Sequence, residues 1–399
     1  MMQARRRTVR DLRRGNRETL LRALFFGGPA SRHELTAQTG LSAATVSNVT
    51  ADLLADGVIA EAGQVESDGG RPRVLLRVNP DYGYAIGVDV GETHVRVELL
   101  DLGMNELART DYALRPARHD VELVVRHILA GADLVLSEAG VPRERVLGLG
   151  VGVPGLVEPG PEAVIHAPTY GWQGVALGTL LRAGTELPLF VDNGAKTMGQ
   201  AELWFGAGRG ASTAAVALVG SGVGLCLVTD GGIYRGASGS AGEWGHMTVA
   251  AGGRACRCGN RGCLEAYAGA EAVLDRYREL VPGEAGEEEP AFAALLADRS
   301  PEAERVLAET VHYLGAGLGT LINLLNPERI VLGGWAGLLL GRRFLPEIRE
   351  AARAHSLALP YERTGIELGL LGPDAVARGA ATLVVDGFLL DSQRALQSV

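Results

Sequence analysis

The chain has 399 residues, which is too many for one hydrophobic core and enough for two or three domains. Its composition, 47% hydrophobic and 21% charged, is typical of a globular protein, and no run of 18 apolar residues predicts a transmembrane helix. The basic N-terminus lacks the apolar segment of a secretory signal, so we expect a cytoplasmic protein with no membrane partner.

The net charge of −9 conceals an asymmetry along the chain. Residues 1–80 contain 12 arginines and 8 acidic residues, a net charge of +4, whereas the remaining residues have a net charge of −13. A basic N-terminal segment on an acidic body predicts a nucleic-acid-binding module. A solvated basic tail would have the same charge, so the charge alone leaves both interpretations open.

The first eighty residues predict a helix-turn-helix unit. An apolar helical pattern at residues 17–26 stops at a Gly-Gly-Pro sequence. Ser31 and Glu34 then form a capping box for a second helix, which ends at Gly40. Ser42 caps a third helix directly afterwards. Two short helices joined by a tight turn are the pattern of a DNA-binding helix-turn-helix.

The third helix is predicted to lie in a major groove, because its exposed residues are small or carry an amide. Asn48 suits pairing with adenine, and a methyl group of Ala44 or Thr45 suits contact with a thymine methyl. The residues of this region that we expect to contact DNA are Arg32, Ser42, Ala44, Thr45, Ser47 and Asn48, and we expect Ala43 and Thr50 on the same exposed face.

Two β-type runs at 58–61 and 74–78 would complete this unit as a wing hairpin. The tip of the hairpin would hold Arg71 and Arg73 out on a loop, where they could enter a minor groove. We therefore interpret residues 10–80 as a winged helix that binds operator DNA. A small helical protein–protein module is the alternative interpretation.

An internal repeat follows a linker at 79–84. Residues 84–110 and 212–236 share a plan of strand, glycine-rich turn and strand, which predicts two related lobes. Two such turns facing each other across a cleft could hold nucleotide phosphates on backbone N–H groups, with a carboxylate placed for Mg²⁺. Each turn alone is also compatible with an ordinary hairpin. The residues of these candidate nucleotide loops are Asp89, Gly91, Thr93, Gly220, Ser221 and Gly222.

Three of the four cysteines lie within eight residues and predict a metal site. Cys256, Cys258 and Cys263, together with His246, make a complete tetrahedral set for a structural Zn²⁺. A closed set of this kind stabilises a loop and leaves no position for chemistry at the metal. Unligated thiols are the alternative, since a cytosolic context disfavours disulfides.

Seven segments together make the chain similar to the ROK family of repressors, open reading frames and sugar kinases, in its transcription-regulator branch. They are GVDVGETH at 87–94, GVPGLVEP at 152–159, ELWFGAGRG at 202–210, LVGSGVG at 218–224, DGGIYRGASGSAGEWGHM at 230–247, CRCGNRGCLE at 256–265 and INLLNPERIVLGG at 322–334. The resemblance implies an α/β architecture: a winged helix-turn-helix followed by a two-lobed, actin-like ATPase domain, at 84–399, with a zinc loop and a sugar-binding cleft.

The resemblance also implies that this chain has lost the catalytic base of the family's sugar kinases. Their general base is an aspartate at the position of Gly194, and glycine cannot accept a proton. Asp192 should point to the opposite face of its strand unless the strand end is bulged. Glu92 replaces a glycine of the first phosphate turn, and Trp335 replaces a glycine on the adenosine side, where it would fill the purine slot or stack on a base.

The resemblance further implies that Asn193, Glu243, His246 and Glu265 would hydrogen-bond the hydroxyls of a sugar. The two glutamates would equally suit a structural role around the zinc loop. We expect a sugar-responsive regulator, more specifically a repressor, that forms a homodimer or homotetramer and takes a sugar or sugar phosphate as effector. The alternatives are an active ATP-dependent sugar kinase with an accessory DNA-binding domain, and a regulator that no longer binds a ligand.

Overall fold

The computed structural model describes residues 8–67, 70–114, 119–283 and 286–390. Over these ranges it contains no helix that is long and apolar enough to cross a membrane. Three groups of elements follow one another along the chain: a small N-terminal module and two α/β lobes.

The N-terminal module has three helices and a hairpin. Its elements are α1 (Val9–Gly27), β1 (Ala30–Ser31), α2 (Arg32–Thr39), α3 (Ala43–Ala55), β2 (Ile59–Ser67) and β3 (Gly70–Val78). The predicted capping box is confirmed, because the Ser31 side chain accepts from the Glu34 N–H group and the Glu34 carboxylate accepts from the Ser31 N–H group. Gly40 ends α2 in the left-handed conformation with φ at 68°, and Ser42 caps α3.

Two sequence predictions about this module need correction. Helix α1 begins at Val9 rather than near residue 17, because Thr8 and Asp11 form a second capping box that the apolar pattern does not reveal. The hairpin strands are also longer than predicted, so Arg73 lies on β3 and not on a loop. The register of the hairpin shifts between Val65 and Ser67, and this irregularity accommodates Pro72 within a strand.

The first lobe contains a five-stranded sheet. Its elements are β4 (Tyr84–Val90), β5 (His94–Asp101), β6 (Glu106–Ala113), α4 (Val121–Ala139), β7 (Val146–Val153), β8 (Leu156–Val157), β9 (Val164–Ala167), β10 (Trp172–Ala176), α5 (Leu177–Arg182), β11 (Leu189–Asn193) and α6 (Gly194–Phe205). Strands β8, β9 and β10 form a separate small sheet.

The second lobe contains another five-stranded sheet. Its elements are β12 (Ala214–Val219), β13 (Val223–Thr229), β14 (Gly232–Tyr234), α7 (Glu265–Ala268), α8 (Ala270–Leu280), α9 (Glu288–Ala297), α10 (Pro301–Leu325), β15 (Arg329–Gly333), α11 (Trp335–Ala354), α12 (Ala358–Glu362) and β16 (Gly365–Leu368). The last described element, α13 (Ala375–Leu390), returns to the first lobe. The predicted extension of this helix to residue 397 lies outside the described residues.

The two sheets have the same topology, as the internal repeat predicts. Their strand orders are β11-β7-β4-β5-β6 and β14-β13-β12-β15-β16, so in both the first strand of the lobe is central. In both, the second and third strands extend from it antiparallel on one side, and the fourth and fifth extend parallel on the other. The glycine-rich turn of each lobe therefore lies between its two central antiparallel strands.

Helix α13 lies unusually close to its neighbours, and glycines make this possible. A Cβ atom on Gly150 of β7 would lie 1.9 Å from the carbonyl oxygen of Ala380 in α13. A Cβ atom on Gly379 would likewise lie 1.9 Å from the carbonyl oxygen of Thr197 in α6. Any larger side chain at these positions would separate the elements. Helices α6 and α13 are thus packed backbone to backbone beneath the end of β11.

Candidate functional site

A cavity of about 330 Å³ lies between the two lobes. It is lined by the glycine turn of each lobe, by the ends of β7 and β11, by the segment before the cysteine cluster and by the beginning of α11 and α13. These are the carboxyl ends of the central parallel strands, which is where ligands bind in open α/β sheets. The predicted nucleotide-loop and sugar-contact residues therefore converge on one cavity.

The Asp-Asn-Gly sequence at the end of β11 divides its side chains between two sides. The parallel register with β7 is continuous through Asp192 and Asn193, so the strand end is not bulged. Asn193 lines the cavity, whereas Asp192 is buried on the other side, 2.5 Å from the Arg235 guanidinium. Asp192 consequently lies away from the position where a general base would act.

Asn193 is held in one orientation by three hydrogen bonds. Its side-chain oxygen caps α6 by accepting from the N–H groups of Ala195 and Lys196, and its amide donates to the carbonyl of Gly155 at 2.7 Å. Gly194 follows, also lining the cavity. A Cβ atom there would meet Val376 at 3.6 Å and the Val153 carbonyl at 3.7 Å, which is ordinary van der Waals contact. The position has room for a side chain but carries none.

Glu243, His246 and Glu265 line the cavity opposite this strand end. Glu243 opens into the cavity but is surrounded by protein, and this desolvation raises the pKa of its carboxyl group although the positive charge of Lys196 opposes it. Glu265 is buried and accepts a hydrogen bond from the Val223 N–H group at 3.0 Å. Two carboxylates, an imidazole and the amide of Asn193 provide acceptors and donors suited to sugar hydroxyls.

The predicted metal ligands form a cluster beside this group. The ligand atoms of His246, Cys256, Cys258 and Cys263 all lie within 4.8 Å of one another. The Cys258 and Cys263 sulfurs are 3.8 Å apart, and His246 Nδ1 is 3.8 Å from the Cys256 sulfur. A tetrahedron of ligands about 2.3 Å from Zn²⁺ has edges of about 3.8 Å, so these two distances match such a site and the cluster could hold a metal ion.

The first glycine turn is occupied by interactions within the protein. The Arg257 guanidinium, from between two of the cysteines, binds the Glu92 carboxylate at 2.5 and 3.1 Å and so joins the two lobes across the cleft. Asp89, the candidate Mg²⁺ ligand, lies 3.6 Å from His94. Burial lowers the pKa of His94, but the adjacent Asp89 carboxylate outweighs this effect, and the net shift of the pKa is upward.

The second glycine turn is occupied in the same manner. The Ser221 hydroxyl donates a hydrogen bond to Glu288 at 2.7 Å instead of facing open space. Burial raises the pKa of Glu288 to about 7, while the Ser221 hydrogen bond opposes the shift. The Trp335 ring packs on the same turn, since a Cβ atom on Gly220 would lie 3.3 Å from the indole nitrogen, and its other neighbour is Phe292.

The N-terminal module presents part of the predicted DNA-reading surface. Ala44, Ser47 and Asn48 are exposed on α3, and Arg73 is exposed on β3. Three further candidates, Arg32, Ser42 and Thr45, have side chains that are hydrogen-bonded within the module. The Ser42 and Thr45 hydroxyls are hydrogen-bonded to each other at 2.9 Å, and the Nε atom of Arg32 donates to the Thr50 hydroxyl. The Arg71 side chain and residues 68–69 lie outside what the structure describes.

Thr50 was expected on the exposed face, and this prediction is wrong. Its side chain is fully buried between α2 and α3, where the hydroxyl donates to the Val46 carbonyl at 2.8 Å and accepts from Arg32. Thr50 lies four positions after the buried Val46, and residues four apart share one face of a helix, so Thr50 lies on the core face of α3. Thr50 therefore positions the two helices and does not contact a ligand.

Helix α6 connects the cavity with the N-terminal module. Its first turn is capped by Asn193 in the cavity, and its last turn places Trp204 and Phe205 against Phe25 and Phe26 of α1, with ring centroids 4.9–6.0 Å apart. A second connection runs through α13, where Asp386 binds Arg22 at 2.6 Å. The module and the first lobe share one continuous hydrophobic core.

Three residues that fill the cleft escaped sequence reasoning: His94, Arg257 and Glu288. Arg257 carried a signal, because it lies between two candidate metal ligands, and its side chain is expected to point away from their cluster towards a neighbour. Glu288 carried none, since α9 shows no marked pattern that would place it behind the second turn. His94 follows the first turn directly, but its partner becomes evident only from the hairpin geometry.

Comparisons with known proteins agree with this geometry. The sequence profile of the ROK family matches residues 85–386. The xylose repressor of Caldicellulosiruptor bescii is 31% identical over 391 residues, covering 95% of this chain and 97% of the relative. A glucokinase of Halalkalibacterium halodurans is 32% identical over 314 residues, covering 75% of this chain and 94% of the relative. A solved ROK family transcriptional regulator, a homologue of the Escherichia coli MLC protein, has a TM-score of 0.79 and 27% identity, covering 96% of this chain and 98% of that one.

Proposed function

The chain belongs to the ROK family, and from this premise we propose that it is a sugar-responsive transcriptional repressor that does not phosphorylate its sugar. The observation that carries the proposal is the extent of the repressor match. The repressor relative covers 95% of the chain, whereas the glucokinase covers 75% and the family profile begins only at residue 85. The N-terminal module is what the repressors add.

We assign operator binding to a winged-helix domain at residues 10–80. Helix α3 is the recognition helix, with Asn48 as its base-reading residue, and β2 and β3 form the wing. The four exposed positions Ala44, Ser47, Asn48 and Arg73 support this assignment. Operators are usually two-fold symmetric, so the protein would act as a homodimer or homotetramer.

The sensing domain spans residues 84–399 in this proposal. Asn193, Glu243, His246 and Glu265 hold the sugar, and the cysteine cluster holds a structural Zn²⁺. The ion would fix His246 through one ring nitrogen and leave the other for a sugar hydroxyl. It would also fix the loop that leads into Glu265. His246 belongs to the cluster, and the Cys256 sulfur lies 3.8 Å from the Glu265 carboxylate. These contacts support a shared metal and sugar site.

Helix α6 supplies a physical route from sugar to operator. Sugar contact with Asn193 acts on the cap of α6, and the other end of that helix lies against α1 of the DNA-binding domain. Helix α13, packed on α6, bears on the same domain through Asp386. Effector binding would favour one arrangement of these helices over another, as any allosteric coupling requires.

An active sugar kinase is the second candidate, because the glucokinase match keeps this activity within the family. Three observations oppose it: Gly194 offers no base, Asp192 is paired with Arg235 away from the cavity, and Glu92 lies in the phosphate turn. The general base alone typically contributes roughly 10²–10⁴ in rate. We therefore regard the nucleotide loops as vestigial.

The proposal is tested by selecting an operator from a randomised DNA library and measuring its affinity by fluorescence anisotropy with and without sugars. We expect specific binding that weakens when one sugar of a panel is added. ADP release would be followed in parallel with ATP and each sugar. Sugar-dependent turnover without specific DNA binding would instead establish the kinase.

A further inference from the structure

We propose that the effector of this cleft is an uncharged sugar and that the cleft rejects sugar phosphates. The inference rests on the proposed function and deepens it by naming the chemical class of ligand. Its basis is the distribution of charge along the cavity, which differs between the end that faces Asn193 and the end formed by the two glycine turns.

The position of a sugar phosphate would be set by the geometry of the cleft. A sugar held by Asn193 and Glu243 would present a hydroxyl beside Gly194, which is where the family's kinases carry their base. A phosphate on that hydroxyl would point away from the sugar contacts and towards the two glycine turns. Both turns line the same cavity as Gly194.

Carboxylates occupy this region. Glu92 lies in the first turn, Glu288 is hydrogen-bonded to Ser221 of the second, and Glu289 lines the cavity next to it. Asp89 lies at the end of β4 in the same wall. The backbone N–H groups of the turns, which could otherwise bind a phosphate, are therefore surrounded by acidic side chains.

The arginines nearest the two glycine turns are already committed to carboxylates. Among the described residues that line the cavity, Arg96 is the only arginine or lysine, and it binds Asp111 at 2.7 Å and also Asp374. Arg257 contacts Glu92 at 2.5 Å, Glu271 at 2.8 Å and Glu265 at 3.5 Å. One guanidinium among three carboxylates leaves a local excess of negative charge.

A phosphate with nearly two negative charges would therefore enter a region of like charge, and such a juxtaposition disfavours binding. Uncharged hydroxyl groups meet the opposite situation, because carboxylates are good acceptors for them. The acidic residues that disfavour ATP would thus also favour neutral sugars over sugar phosphates. Specificity of this kind comes from a repulsive element in addition to attractive contacts.

The test is isothermal titration of the full-length protein with matched pairs of ligands. D-Glucose and N-acetyl-D-glucosamine are compared with their 6-phosphates, and D-xylose is included as a further neutral sugar. We expect at least one neutral sugar to bind and any matching phosphate to bind at least about 100-fold more weakly. The deficit of the phosphate should shrink at higher ionic strength, because salt screens like-charge repulsion.

A double variant sharpens the test. Glu92→Gln with Glu288→Gln should raise the affinity for a sugar phosphate by at least about tenfold, since two acidic groups are removed from the turns and Arg257 loses one of its three carboxylate partners. The control pair, Glu122→Gln with Glu287→Gln, removes two carboxylates at exposed positions that do not line the cavity. It should change the affinity for neither the neutral sugar nor the sugar phosphate.

The outcomes separate the inference from the proposed function. A sugar phosphate that binds the parent protein more tightly than its neutral partner overturns the inference but leaves a sugar-responsive repressor intact. If no sugar of either class binds or alters operator affinity, the proposed function fails and the inference fails with it. Neutral binding with a salt-sensitive phosphate deficit supports both.

Discussion

The two ends of the cleft differ in how their polar side chains are engaged. At the end of β11 Glu243 opens into the cavity, Asn193 lines it while its side chain caps α6, and Gly194 leaves space beside them. At the glycine turns the reverse holds, because the groups that would meet a nucleotide are bound to other residues: Glu92 to Arg257, and Ser221 to Glu288. The strand order around both turns is nevertheless the same.

The difference teaches that a scaffold can keep its topology while one half of a bipartite site is closed by side chains. Under the proposed function, the missing base at Gly194 is a matter of one side chain, whereas the closed glycine turns depend on several acidic side chains that find partners elsewhere. Arg257 meets this requirement from the cysteine loop. The loop that would organise the sugar end through zinc thus also closes the nucleotide end.

The largest effect is expected from the metal. Cys258→Ser should lose Zn²⁺, and sugar response should disappear, because the loop that holds His246 and leads into Glu265 would lose its constraint. The purified parent should contain one zinc per chain by metal analysis. Cys226→Ala is the matched control, since Cys226 is buried in β13 away from the cluster and should retain the ion. Zinc-free parent protein, purified without chelators, would contradict the assignment.

The next effect concerns catalysis at the end of β11. The parent should transfer no phosphate above background, and Gly194→Asp should give traces of transfer, because general-base catalysis is worth roughly 10²–10⁴. Adding Glu92→Gly and Trp335→Gly should raise the rate further by reopening the nucleotide end. Gly194→Asn is the control, because asparagine has the same size as aspartate but its amide does not act as a general base. Robust ADP release by the parent that Asp192→Asn abolishes would show that Asp192 is the base.

Asn48→Ala should weaken specific operator binding by about 1–3 kcal/mol, the usual value of a bidentate base contact. Arg73→Ala should instead weaken all DNA binding and reduce its salt dependence, since a phosphate or groove charge is lost. Gln173→Ala removes an exposed side-chain amide from β10 of the sensing domain and serves as the control. An operator footprint that neither substitution alters would refute the assignment of α3 and the wing.

Trp204→Ala should uncouple the sugar end from DNA without removing either ligand. Allosteric coupling is typically about 1–3 kcal/mol, and we expect loss of about 1 kcal/mol because α13 retains its own contact with the module. The coupling is measured as the ratio of operator affinities with and without sugar. Equal ratios in the variant and the parent would exclude α6 as the route.

The smallest effect is a pH dependence at the nucleotide end. Because burial raises the pKa of Glu288 to about 7 from an ordinary value of 4.5, its protonated form stabilises the fold at low pH, and this contribution is lost as the pH rises through 7. Glu288→Gln cannot ionise, so its free energy of unfolding should not fall with pH in this way. The variant should be more stable than the parent by about 1 kcal/mol at pH 8, but not at pH 4.5. Urea unfolding at both values, with Glu287→Gln as control, measures it.

Local signals explain most of what the sequence predicts correctly. Caps at Ser31 and Ser42 act over three residues, and the cysteine cluster is specified within eight positions, so both follow from spacing alone. The repeated strand plan gave the common topology of the lobes. Pairs such as Glu92 with Arg257 join residues 165 positions apart and depend on how the lobes meet, which no local pattern encodes. The buried setting of Thr50 likewise depends on Arg32 of another helix.

Lys196 follows the Asn193 cap in the first turn of α6, and it is the only lysine of the chain and only 2% exposed. The folded protein therefore presents its positive charge to solvent almost entirely as guanidinium groups, which do not react with amine-directed reagents. Acylating labels and amine-coupled sensor surfaces will therefore react only slowly with the lysine side chain of the folded protein. The rate at which Lys196 is acylated would in turn measure how often the packing around the first turn of α6 opens to solvent.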